Sequence, residues 1–304
     1  MQPLLRRVAE RALVRLGPSD LARRFTKGRL LVLAYHNVVP DGAAPCGERS
    51  LHVPRRLFCE QLDLLAKSAD VVPLSSLGLN DGSAARTRVV ITFDDAYEGA
   101  VAIATEELAK RGMPATIFVT PAFLDGRTFW WDAIAGTDGM LDPRLRDMLL
   151  RELRGEDAAI RDWARQSGIS INDALPSHAR GARIACLDSA TSLPGITLAA
   201  HTWSHPNLTR LEDAALDEQL QRPLAWLRAA YPRVTIPWIS FPYGLEDDRV
   251  RHRVEEAGFV GALLISGGWH REEKTTRFGV PRLNIPSTLS ADGFALRVAG
   301  VVRR

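Results

Sequence analysis

Two short segments hold residue types that could do chemistry at a metal. The apolar run Val89-Val90-Ile91-Thr92-Phe93 ends directly in two adjacent carboxylates, Asp94 and Asp95. Side by side, two like charges repel unless a cation gives them different roles, one ligating and the other staying free as a general base. Far along the chain, His201-Thr202-Trp203-Ser204-His205 places two histidines four residues apart, a spacing that lets both face one side of a turn. Alone, an Asp reads as a helix N-cap and the spaced histidines as chance. Together they make an Asp/His/His ligand set that leaves positions open for water and substrate, as hydrolysis requires.

Such residues must be brought together by the elements that carry them. Each cluster follows a short apolar run: Leu30–Tyr35 before His36, Arg88–Phe93 before Asp94, and Ile196–Ala200 before His201. Ile236–Phe241 likewise precedes Pro242-Tyr243-Gly244. Further strands are expected at Val71–Leu74, Ala115–Thr120, Phe259–Ile265 and Arg282–Ile285. Helical periodicity marks Arg55–Ser68, Gly99–Arg111, a long helix from a Thr209/Glu212 capping box to about Ala230, and Asp247–Ala257. Asn80-Asp81-Gly82 reads as a turn. Strands alternating with helices imply a parallel sheet, doubly wound or closed into a barrel. In either case the C-terminal strand ends share one face, where active sites gather.

The segments ITFDDAY, HTWSHPNL and SFPYG resemble, in order, the first three motifs of the polysaccharide deacetylases (the NodB-homology, carbohydrate esterase family 4 group). The resemblance spans roughly Leu30 to Ile285 and implies an α/β fold, a distorted (β/α) barrel of seven or eight parallel strands. By motif position it implies Asp94 as general base and Asp95, His201 and His205 as ligands of a divalent metal, zinc foremost, with cobalt, nickel or manganese able to serve. Tyr243 would offer its backbone N–H to the oxyanion, and the reaction would remove N-acetyl groups from sugars of a polysaccharide or a lipid-linked glycan precursor. Other amide hydrolases on such a scaffold, a sugar deformylase or an allantoinase-like enzyme, are the alternatives, along with a non-catalytic carbohydrate-binding protein.

Two features depart from the family pattern. Ser240 stands where an arginine usually steadies the catalytic Asp, and RLNIP after Val280-Pro281 lacks the late histidine that usually supplies the general acid. His36 in LAYHNV is the expected replacement acid, with His270 in GGWH the alternative. Phe129, Trp130, Trp131 and Asp132 read equally as a sugar-stacking platform or as a core anchor. Trp203 is expected to pack beneath the metal loop, and His52, His178 and His252 to be surface residues.

Residues 29–304 are expected to form the barrel, with a polar, helix-prone insertion at about 136–195 covering one face. Residues 1–28 interleave many arginines with leucines and valines and read as a basic amphipathic helix, packed on the barrel or in peripheral contact with an anionic membrane. Charges at Arg6, Arg7, Glu10, Arg11 and Arg15 break any signal-peptide core, so a cytoplasmic location, with contact at the inner membrane face, is expected. Three cysteines without close pairing, Cys46, Cys59 and Cys186, suit free thiols in a reducing compartment. A net charge of only +3 with no basic stripe gives no support for nucleic acid as a partner.

Overall fold

The computed structural model describes residues 10–14, 29–44, 46–77, 86–270 and 276–302. Among these, β1 (Leu30–Tyr35), β5 (Thr87–Phe93), β6 (Ala115–Val119), β7 (Ile196–Ala200), β8 (Thr235–Ser240), β9 (Gly261–Gly267) and β10 (Val280–Asn284) form a ring of parallel strands. The ring closes where β1 pairs with both β10 and β5, with Leu30 to Tyr35 in register with Arg88 to Phe93. A short extra strand, β4 (Ala69–Val71), adds to the start of β5. Short strands β2 (Asn37–Val39) and β3 (His52–Pro54) pair with each other beside the barrel. The fold is the distorted (β/α) barrel, with seven strands closing and one outside.

Strand alternation sorts the residues onto two faces. Leu30, Val32, Val90, Phe118, Ala199, Trp238, Leu263 and Val280 form an apolar plug inside the ring. Leu31, Leu33, Tyr35, Val89, Ile91, Phe93, Ile117 and Leu198 face outward, into a larger core under the helices. The runs are apolar throughout because parallel strands of a barrel are covered on both faces. The same alternation carries Thr92 and Asp94, His201, Ser240 and Arg282 to the inner face, just above the plug.

The helix Arg55–Ser68 buries Phe58, Gln61, Leu62 and Leu65, a helical stripe, and has the expected bounds. Other boundaries differ. Residues Ala100–Ala104 are π-helical before the α-helix Thr105–Ala109, where one uninterrupted helix was expected. Thr209 and Glu212 form no capping box. Thr209 belongs to a 3-10 turn capped by Asn207, and Glu212 starts the helix Asp213–Ala230 without a side-chain cap bond. The Thr209 hydroxyl is spent on Asn207 Oδ1, to which it donates at 2.8 Å, before the helix begins.

Between 136 and 195 the chain forms helices Pro143–Glu152, Asp157–Gln166 and Ile184–Thr191. Leu149, Leu150, Ile160, Ala164 and Leu187 enter the same core as the barrel strands. The expected N-terminal amphipathic helix lies outside the described residues except for 10–14, which are helical; there Glu10 accepts a hydrogen bond from Ser290 Oγ at 2.6 Å. The Asn80-Asp81-Gly82 turn lies outside them as well. No helix among the described residues is long and apolar enough to cross a membrane. Cys46, Cys59 and Cys186 are free and half-buried.

Candidate active site

Asp94, Asp95, His201 and His205 all meet at the C-terminal mouth of the barrel, and all are buried. The Asp95 carboxylate Oδ1 lies 3.3 Å from His205 Nε2 and 3.5 Å from His201 Nε2, and the two Nε2 atoms are 3.1 Å apart. His201 Nδ1–H donates to the Ser240 carbonyl oxygen at 2.7 Å. That bond fixes the tautomer and leaves a lone pair on Nε2. Burial lowers the pKa of both histidines, so they are neutral.

The lone pair of His201 Nε2 and the Nε2 of neutral His205 therefore converge on a carboxylate oxygen that has no hydrogen-bond partner. Burial, with the charges of Asp94 and Asp132, raises the Asp95 carboxyl well above its ordinary value. An arrangement of acceptors without donors calls for a cation. The three ligand atoms lie within 4.8 Å of one another, so one ion can be shared among them. The donor set of two nitrogens and one oxygen fits a divalent metal.

Backbone strain marks the same place. Asp95 (φ 72°), Ala96 (φ 57°), Thr202 (φ 64°), His205 (φ 60°) and Tyr243 (φ 60°) all occupy the left-handed region that non-glycine residues rarely adopt. Tertiary contacts hold them there. His205 N–H donates to Thr202 Oγ1, and Gln219 Oε1 accepts from the Trp203 and Ser204 amides. The Tyr243 hydroxyl donates to the His205 carbonyl and accepts from Trp130 Nε1–H, each at 3.1 Å.

Asp94 is held by a residue that the sequence reading overlooked. Arg282 Nη1 and Nη2 donate to Asp94 Oδ1 and Oδ2 at 2.8 and 2.6 Å, a two-pronged ion pair. Ser240 Oγ donates to Asp94 Oδ2 at 3.1 Å and accepts from Arg282 Nη2 at 2.7 Å. Burial alone would raise the Asp94 carboxyl. The charge of Arg282, with its hydrogen bonds, outweighs it and holds Asp94 below the ordinary carboxylate range. So Ser240 takes one half of the missing arginine's place, and Arg282 reaches in from β10 to supply the cation. The signal was an arginine alternating with apolar Val280 in a buried strand.

A cavity of about 410 Å³ opens on these groups. His36, Trp131, Tyr243, Arg146 and Asn284 line it with the four site residues. His36 is half-buried, and desolvation lowers its pKa to about 4 against the opposing pull of Asp94. His270 is elsewhere: its amide donates to the Leu30 carbonyl, at the end of β1 opposite to His36. A larger cleft of about 830 Å³ lies between helices Asp157–Gln166 and Asp213–Ala230 and contains none of the Asp/His cluster.

Phe129, Trp130 and Trp131 are buried, Phe129 stacked on Trp131 and Trp130 edge-on to it, which makes them core anchors; of the three, Trp131 also reaches the cavity. Trp203 lies under the Arg222 guanidinium, 3.7 Å from the ring centroid. His52 corrects the expectation of a surface histidine, since it is buried against Asp132. His178 is half-buried, with its backbone oxygen bonded to Asn37, while His252 is exposed beside Glu256.

Residues 190–262 match the family model described as "Polysaccharide deacetylase". Over this stretch the chain resembles that family. The matched stretch includes His201, His205 and Ser240 to Gly244, and the barrel joins Asp94 and Asp95 to them. Among solved structures, the deacetylase PplD of Streptococcus pyogenes, in complex with acetate, superposes with a TM-score of 0.61 at 16% identity, over 90% of this chain and 99% of that one. A de-N-acetylase of Aggregatibacter actinomycetemcomitans gives 0.57 at 15% identity, over 86% and 95%. The BpsB deacetylase domain of Bordetella bronchiseptica gives 0.54 at 16%, over 86% and 97%. These likenesses establish a shared fold. No curated protein matches the sequence.

Proposed function

We infer that this protein acts as the polysaccharide deacetylases it resembles do, as a divalent-metal hydrolase that removes N-acetyl groups from sugars of a glycan or a lipid-linked glycan precursor. One observation carries the reading: three buried lone-pair donors, Asp95, His201 and His205, converge beside a second carboxylate that Arg282 keeps ionised. A metal bound there, zinc by its ligand set, would supply Lewis acidity toward the amide carbonyl and lower the pKa of water.

The protein's own groups account for the rest. Asp94 is ionised and can accept a proton from the attacking water. The Arg282 fork and Ser240 Oγ hold its carboxylate in one orientation, so the base need not be ordered during reaction. Tyr243, in its strained turn, is the backbone donor assigned to the oxyanion, whose stabilisation in comparable sites amounts to about 3 to 4 kcal/mol. His36 is the candidate that returns a proton to the leaving amine. With a pKa near 4 it is neutral at pH 7, so it must receive that proton within the complex. Arg282 removes one of the two grounds for a non-catalytic reading, the missing arginine.

The test is metal content and acetate release together, on wild type, Asp94→Asn and His201→Ala. Substrates are short N-acetylglucosamine oligomers and lipid-linked N-acetyl sugars. About one metal per chain is expected in wild type and in Asp94→Asn, strong loss in His201→Ala, and acetate release in wild type alone. Metal binding without acetate from any substrate would move another acyl group ahead. Wild type that takes up no metal on reconstitution would end the reading.

A further inference from the structure

One buried carboxylate has no part in the chemistry above. Asp132, in the short helix Trp130–Ala133, is buried, and among the described residues no lysine or arginine pairs with it. Its Oδ1 accepts from the Glu48 amide at 2.7 Å and from His52 Nε2–H at 3.1 Å, and its Oδ2 accepts from the Tyr97 hydroxyl at 2.5 Å. The directions of these bonds are determined. His52 Nδ1 accepts from Asn37 Nδ2–H at 2.9 Å, so its proton sits on Nε2. The Tyr97 oxygen accepts from Trp131 Nε1–H at 2.8 Å, so its own proton goes to Asp132.

Two branches leave this carboxylate. The first runs through Tyr97 to Trp131, whose ring centroid is 4.7 Å from that of His205. His205 needs such support. His201 is oriented by its Nδ1–H bond to Ser240, but the buried Nδ1 of His205 meets no hydrogen-bond partner. A ligating histidine is ordinarily aimed by the hydrogen bond of its other nitrogen. Here the ring is held instead between Trp131 and Tyr243, the latter with its centroid at 4.5 Å. The second branch is the Glu48 amide. Gly47 lies so close that a Cβ on it would collide with the Asp132 carboxylate. This pins the segment whose Glu48, Ser50 and Leu51 form one wall of the cavity.

We propose that Asp132 is a positioning residue: it fixes the His205 ring through Tyr97 and Trp131, and the Glu48–Leu51 wall of the cleft through the Glu48 amide. The proposal rests on the metal reading of Asp95, His201 and His205. Asparagine cannot replace the carboxylate. With its oxygen toward Glu48 and His52, its NH2 points at a Tyr97 oxygen already receiving a proton from Trp131. Turned over, it sets its NH2 against two donors. Tyr97→Phe cuts the first branch alone, at nearly constant volume.

The experiment is titration of the full-length protein with Zn2+ and Co2+, in wild type, Asp132→Asn, Tyr97→Phe and Leu62→Ala. Leu62 is a core residue of helix Arg55–Ser68 outside this network, and its truncation controls for loss of stability. Asp132→Asn and Tyr97→Phe should each weaken metal binding about 10- to 100-fold, while Leu62→Ala lowers Tm and leaves the affinity alone. The double variant Asp132→Asn/Tyr97→Phe should bind little worse than either single variant, because the same chain is cut once. With metal in excess, Asp132→Asn should also raise KM, through the second branch, and Tyr97→Phe should not. Wild-type metal affinity in both Asp132→Asn and Tyr97→Phe overturns the proposal. If Asp132→Asn does not fold, Tyr97→Phe decides alone. A wild type that binds neither metal overturns instead the reading on which the proposal stands.

Discussion

Replacing Arg282 with methionine should cripple the base and destabilise the fold, without emptying the metal site. Arg282 is fully buried and Asp94 nearly so, with nitrogen–oxygen distances of 2.6 and 2.8 Å. At about 3 Å and an effective dielectric near 20, the attraction is of order 5 kcal/mol, much of it spent on desolvation. Removing one partner leaves a buried charge unpaired, at a cost of about 3 to 5 kcal/mol. The Leu264 carbonyl, which accepts from Arg282 Nε at 2.6 Å, is orphaned as well. Arg282→Lys keeps the charge but not the fork, and roughly half of that loss is expected. Urea denaturation of Arg282→Met, Asp94→Asn and the double variant measures the pair directly. The double should be more stable than the sum of the singles predicts, by at least about 2 kcal/mol, because neither charge is then stranded. Acetate release by Arg282→Met should fall at least about 100-fold, as for loss of an oriented base, with bound metal retained. If Arg282→Met loses less than about 1 kcal/mol, within the range of an unremarkable substitution, and keeps its activity, the fork is not what holds Asp94.

His36→Gln should lower kcat by about 10² to 10⁴ while leaving metal content and KM near wild type; undiminished turnover would rule His36 out as the proton donor. Glu107 supplies a test of pH-dependent stability remote from the metal. The Lys110 hydrogen bond, opposed by burial and reinforced by Arg55 and Arg111, holds its carboxyl well below the ordinary value. A depressed carboxylate stabilises the fold above its unfolded pKa and loses that effect as pH falls toward the folded one. Glu107→Gln should therefore cost about 1 kcal/mol at pH 7, and the gap to wild type should narrow below about pH 4. A gap independent of pH would assign the loss to packing.

Much of this protein is written locally in its sequence. Apolar runs of parallel strands are recognisable because both faces are buried, so β1 and β7 have their expected bounds and β5 differs by one residue. Asp94-Asp95 and His201…His205 stand out because each follows such a run, and a strand end in a parallel fold points to the common face. Short-range signals failed where tertiary contacts competed. Thr209 was spent on a 3-10 turn, and the helix after Tyr97 widened into a π-turn. His52 looked like a surface residue because its partners, Asn37 and Asp132, lie on other elements. Arg282 is the sharpest case. Alternation along Val280-Pro281-Arg282 sets its side chain on the inner face of β10, but only closure of the ring through β1 brings β10 and β5 to one mouth. An ion pair spanning 188 residues of chain leaves no local trace, since what makes it favourable is the low-dielectric interior that only the closed barrel creates.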